Sequence, residues 1–208
     1  VFNNTITNID WTCSSNSTFA PPGIWTGIYA WNGNIDIGNG PGTGNIIGST
    51  TGNDTITIHT TTNGPGCFGI AYTNATTETN TINYNTIGGI GLTGASPSIS
   101  NSFTAIQFNT DGTTVSNNTI GSETTANSIN TSTASTGTFN TQIIIGIKAA
   151  SGSGTNTITN NTIANLNNNY SGTDDGGQII GIQTTAGTNV ILENTIRDPV
   201  SYTHLRAH

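Results

Sequence analysis

The sequence predicts an all-β solenoid of stacked parallel turns, and three observations carry that reading. The first is a motif. An Asn stands two residues before an Ile at Asn4/Ile6, Asn45/Ile47, Asn85/Ile87, Asn118/Ile120, Asn161/Ile163 and Asn194/Ile196. The steps between these Ile residues are 41, 40, 33, 43 and 33. Self-similarity at so long a period marks repeats that bury their apolar faces only against neighbours. The second observation is two companion rows. Five places before the motif Ile stand Val1, Gly42, Ile82, Val115, Ile158 and Ile191. A small residue followed by Ile recurs at Gly27-Ile28, Gly69-Ile70, Ala105-Ile106, Gly146-Ile147 and Gly181-Ile182. The third is composition. The chain holds 42 Thr, 30 Asn, 29 Ile and 27 Gly in 208 residues. Thr and Ile favour strands, Asn and Gly favour turns, and helix formers are scarce.

Each turn is then expected to hold three short strands, and the chain to hold about five to six turns. The small-Ile strand comes first, the second row follows, and the Asn-x-Ile strand comes five residues later. A loop of 19 to 27 residues leads to the next turn. Gly42 breaks the second row inside Gly38-Asn39-Gly40-Pro41-Gly42-Thr43-Gly44, which reads as a turn or bulge. Alternation along a strand turns the Ile inward. The Asn residues then fall at a corner, about 4.8 Å apart from turn to turn. Side-chain amides at that spacing can hydrogen-bond into a ladder, and Asn tolerates the left-handed backbone that a sharp corner needs.

Charge excludes some function classes. The net charge is −7, and Lys148, Arg197 and Arg206 are the whole cation set. Nucleic-acid binding needs clustered Lys or Arg, so no nucleic-acid partner is expected. No apolar run reaches the roughly 20 residues of a membrane-spanning helix, so no membrane insertion is expected. Cys13 and Cys67 are the two cysteines, and the sequence leaves open whether they pair.

These rows resemble the right-handed parallel β-helix superfamily of pectate lyases, pectin hydrolases, tailspikes and surface adhesins. Right-handedness follows the crossover rule. The corner Asn resembles that family's asparagine ladder. The wording of Ile144-Ile145-Gly146-Ile147 and of Thr155 to Ile163 is similar to Asn/Thr/Gly-rich repeats of secreted surface proteins of Bacteroidota. The resemblance implies an extracellular or cell-surface location for residues 1–198, a segment open at both ends whose partners include flanking β-helix turns. Residues 199–208 lack Asn and Gly and resemble a translated sequencing adapter, a non-native tail set aside from functional reasoning.

The superfamily's enzymes carry acids and bases on the outer face of one strand row. Here the outward residues are read as Gly27, Gly69, Ala105, Gly146 and Gly181 before the row Ile, and Tyr29, Ala71, Gln107, Lys148 and Gln183 after it. No carboxylate stands among them, whereas a glycosidase needs two and a lyase needs a base beside a cation. No catalytic residue and no cofactor are therefore assigned. Asp174 and Asp175 are the one adjacent acid pair; a Ca²⁺ loop wants more oxygen ligands, so a solvated turn is the preferred reading and no metal site is assigned. His59 reads as a lone surface histidine. Trp25, Tyr29 and Trp31 share a parity that makes them candidates for a glycan platform; the alternative is that the rings pack under the loop at residues 12–23. The expected function is a non-catalytic stalk, adhesin or glycan-contacting module, with polysaccharide or a surface glycan as partner. The alternatives are a fragment of a polysaccharide lyase or glycoside hydrolase whose catalytic turns lie elsewhere, and an ice-binding solenoid built on outward Thr such as Thr86 and Thr119.

Overall fold

The computed structural model describes residues 1–14, 20–61, 66–73, 79–94, 101–133, 142–151, 154–171, 176–198 and 200–201. These residues form a parallel β-solenoid of four sheets, visited in the order A, B, C, D. Sheet A stacks Thr5–Ile6, Ile46–Gly48, Thr86–Gly88, Thr119–Gly121, Thr162–Ala164 and Thr195–Arg197. Sheet B stacks Ile9–Cys13, Ile56–Thr60, Ile90–Gly94, Ile129–Thr133, Leu166–Tyr170 and Val200–Ser201. Sheet C stacks Trp25–Trp31, Gly66–Thr73, Ser102–Asn109, Gln142–Ser151 and Gly177–Thr184. Sheet D stacks Asp36–Ile37, Asn80–Asn83, Thr113–Ser116, Thr155–Thr159 and Thr188–Leu192.

Three of these sheets are the three expected rows. Ile6, Ile47, Ile87, Ile120, Ile163 and Ile196 stand in one register along sheet A. Ile28, Ile70, Ile106, Ile147 and Ile182 do the same along sheet C. In sheet D the neighbour of Ile82 is Ile37, not Gly42. Ile37 to Asn45 spans eight positions where Ile82 to Asn85 spans three, so this turn carries five extra residues at the corner. The Gly-rich stretch is that insertion, and the apolar row runs unbroken beneath it.

Sheet B is the fourth strand of each turn, and it lies inside the segment read as a long loop. Its inward residues include Ile9, Ile56, Ile90, Ile129 and Leu166, all in register. The last four of these are essentially buried. Their offsets from the sheet A Ile are 3, 9, 3, 9 and 3. The second and fourth turns therefore hold a six-residue insertion between A and B. Ser49 and Ser122 open these two loops, each accepting two backbone N–H bonds on its hydroxyl. The loops meet across the short corner of the third turn: Ser122 Oγ and Thr125 Oγ1 both donate to the Thr50 carbonyl, at 2.6 and 3.0 Å. Gly88 makes that meeting possible, since a Cβ there would stand 2.7 Å from the Ser49 carbonyl oxygen.

The Asn ladder is complete. Nδ2 of each Asn donates to Oδ1 of the next, at 2.8, 2.8, 3.0, 2.9 and 2.9 Å from Asn4 through Asn194. The backbone N–H of each Asn donates to the same oxygen, at 2.9 to 3.2 Å. Spare amide hydrogens reach carbonyls such as Ile82 and Ser116, both taken by Asn118. The left-handed residue is the one before the ladder Asn, at Asn3, Tyr84, Asn117, Asn160 and Glu193. That placement corrects the expectation that the ladder Asn supplies the bend itself. Turning the chain one residue earlier leaves the Asn side chain aimed along the stack, and the hydrogen bonds then hold even Tyr84 and Glu193 in a conformation they disfavour alone.

Sheet C departs from simple alternation. Alternation places the residues before the row Ile outward, but a Cβ on Gly69 would stand 3.0 Å from Cγ2 of the buried sheet A Ile87. On Gly146 it would stand 2.9 Å from Cδ1 of Ile163. Ala105 is 1% exposed and belongs to the core. These residues and the Ile that follow them both face inward, so each strand bends between them. Only a very small side chain fits at an inside bend where the opposite sheet approaches, which is why the row is Gly, Gly, Ala, Gly, Gly.

Candidate functional site

The bend divides the outer face of sheet C into two strips. On one side Thr26, Phe68, Thr104 and Ile145 stand in register. On the other side stand Tyr29, Ala71, Gln107, Lys148 and Gln183, with Trp31, Thr73 and Asn109 two residues further along. Tyr29 and Trp31 are 37% and 58% exposed, with ring centroids 6.2 Å apart at 60°. Beside them a depression of about 290 Å³ is lined by Ala20, Pro21, Trp31, Thr73, Gln107 and Asn109. Thr73 Oγ1 also reaches the Tyr29 hydroxyl, at 3.5 Å. An edge-to-face aromatic pair next to amide and hydroxyl groups offers an apolar platform with hydrogen-bonding groups at its rim.

Trp25 is not part of that platform. It pairs with Cys67, faces inward and packs against the core. The parity argument that joined it to Tyr29 fails because the bend at Gly27 and Ile28 lies between them. A second depression, of about 240 Å³, is lined by Gly66, Phe68, Ser102, Thr104, Gln107, Ile143, Ile145 and Lys148. Gln107 belongs to both.

Other polar groups converge in ways the sequence did not reveal. His59 has neighbours: its Nε2 lies 3.2 Å from Asp10 Oδ1 and its Nδ1 lies 2.6 Å from Thr93 Oγ1. The sheet B register places His59 directly opposite Thr93. This contact lies on an open outer face, and the Asp10 side chain is 83% exposed, so water screens it strongly. A second, shorter amide row runs along sheet D. Asn80 Oδ1 accepts from the Ile35 N–H and the Tyr72 hydroxyl, Asn156 Oδ1 accepts from the Thr113 N–H, and Asn156 Nδ2 donates to Asn189 Oδ1. Among the described residues no group of three His, Cys, Asp or Glu is placed to hold a metal ion. Asp174 and Asp175 lie outside the described residues.

Cys13 and Cys67 are not joined in a disulfide. Burial, and secondly the neighbouring Cys13, push the Cys67 thiol well above the usual range. The thiolate is the nucleophile, so a raised value leaves Cys67 protonated at neutral pH. In the folded protein at pH 8, iodoacetamide is expected to label Cys13 first and Cys67 only after denaturant is added. Equal labelling rates in a peptide map would contradict the burial of Cys67.

Comparison with known proteins finds no matching family model, no similar curated protein and no similar solved structure.

Proposed function

We propose that this chain is a non-catalytic solenoid segment of a secreted or cell-surface protein, and that it contacts glycan through the outer face of sheet C. The observation that supports this most is the exposed Tyr29 and Trp31 pair beside the depression that holds Thr73, Gln107 and Asn109. A sugar ring stacks its apolar face on Trp31, and the amides read its hydroxyls. The parallel stack supplies a rigid support, because each strand of sheet C is hydrogen-bonded to its neighbours. The surface location and the likeness to Asn/Thr/Gly-rich repeats of Bacteroidota belong to this proposal and rest on the wording of the repeats.

The test is incubation with a panel of neutral and acidic polysaccharides, followed by chromatography for depletion and for cleavage products. Retention is expected, and Trp31→Ala should weaken it by about tenfold or more, as loss of an aromatic anchor does. Retention unchanged in Trp31→Ala would move the contact elsewhere. New oligosaccharides would make the protein an enzyme. Absence of retention would leave a structural stalk.

A further inference from the structure

We propose that the second depression on sheet C is a binding site for a small amphipathic carboxylate, held at its charged end by Lys148 and Gln107. Lys148 is the chain's one lysine. Among the described residues it makes no ion pair and no hydrogen bond, whereas Arg197 is paired with Glu123. Gln107 is 7% exposed and lines the depression beside Lys148. The two residues stand directly opposite each other on adjacent strands, about 4.8 Å apart. One carboxylate between them accepts from both the Lys148 ammonium and the Gln107 amide.

The rest of the depression specifies the remainder of the ligand. Phe68, Ile143 and Ile145 supply an apolar surface, with Ser102 and Thr104 beside them. A volume of about 240 Å³ lies at the lower edge of ordinary small-molecule sites. It suits a short alkyl or aryl group and excludes a large ligand. An inorganic anion would leave the Phe68 and Ile145 surface without a partner. The site is separate from the glycan reading, which rests on Tyr29 and Trp31, although Gln107 borders both depressions.

The experiment is a titration of the full chain with octanoate below its micelle concentration, followed by calorimetry and by NMR of the Gln107 side-chain amide. Acetate, octan-1-ol and glucuronate are titrated in parallel. Saturable octanoate binding is expected, with acetate, octan-1-ol and glucuronate each at least tenfold weaker. Lys148→Met should weaken octanoate at least tenfold and leave octan-1-ol unchanged, Lys148→Arg should retain binding, and Trp31→Ala should have no effect. No saturable octanoate binding would overturn the proposal. Equal affinity for octan-1-ol would overturn the role of Lys148, as would an unchanged Lys148→Met. Glucuronate binding as tightly as octanoate would overturn the apolar part of the site.

Discussion

Asn118→Ala is expected to lower the unfolding free energy by about 3 kcal/mol, the combined cost of several buried groups losing their partners. Asn118 is 1% exposed. Its Oδ1 accepts from both the backbone N–H and the side-chain amide of Asn85, at 2.9 and 3.0 Å. Its Nδ2 donates to the Ile82 and Ser116 carbonyls and to Asn161 Oδ1. An alanine methyl replaces none of these, and the interior leaves little room for water to do so. Asn4→Ala is the matched control. Asn4 is exposed and has no preceding ladder amide among the described residues, so its loss should cost less than about 1 kcal/mol. Urea unfolding of both variants decides the matter. Equal effects at the two positions would mean that ladder burial contributes nothing beyond the surface hydrogen bonds that Asn4 makes to Phe2 and Asn45.

Gly146→Val should prevent stable folding, with a loss of at least about 3 kcal/mol, at the upper end of overpacking costs. A Cβ at position 146 would stand 2.5 Å from the Gly181 carbonyl oxygen and 2.9 Å from Ile163 Cδ1. The carbonyl belongs to the next strand of sheet C and cannot withdraw without breaking that pairing. Branching at Cβ adds two further methyls on the same inside bend. Ala105→Gly, in the same row, removes an existing methyl and should cost only about 1 kcal/mol. Circular dichroism melting of the two variants tests the bend directly. A folded Gly146→Val with near-normal stability would show that these residues face outward after all.

Three of the four sheets are legible because each carries a local signature: a constant offset between sheets D and A in most turns, and a small residue before every row Ile of sheet C. Ile82, Val115 and Ile158 always precede the sheet A Ile by five, whatever the loops do. Sheet B broke that rule. Its Ile56 and Ile129 lie nine residues after the sheet A Ile, whereas Ile9, Ile90 and Leu166 lie three after it. A search at constant spacing sees scattered Ile and calls the stretch a loop. Parity failed for a different reason. Two consecutive inward residues in sheet C shift the faces of everything before them, which moved Trp25 from the surface to the core. Tyr29 and Trp31, on the same side of the bend as the row Ile, were placed correctly. Alternation alone places Gln107 and Lys148 outward, but the depression they share with Phe68 and Ile145 depends on which strands lie side by side. The partners of His59 were hidden likewise, since Asp10 and Thr93 reach it only through the register of the sheet that was missed.

The corner amides also explain how this chain accommodates uneven repeats. The separation between successive ladder residues ranges from 33 to 43, while the amide contact stays between 2.8 and 3.0 Å. One checkpoint per circuit thus resets the alignment, and length errors accumulated in the intervening connections do not propagate. Connections can lengthen, shorten or change chemistry independently in each circuit without dephasing the next. The corner amide thus fixes the phase of each circuit, the apolar rows and the inside bend of sheet C fix its cross-section, and the connections between them carry the variation in length.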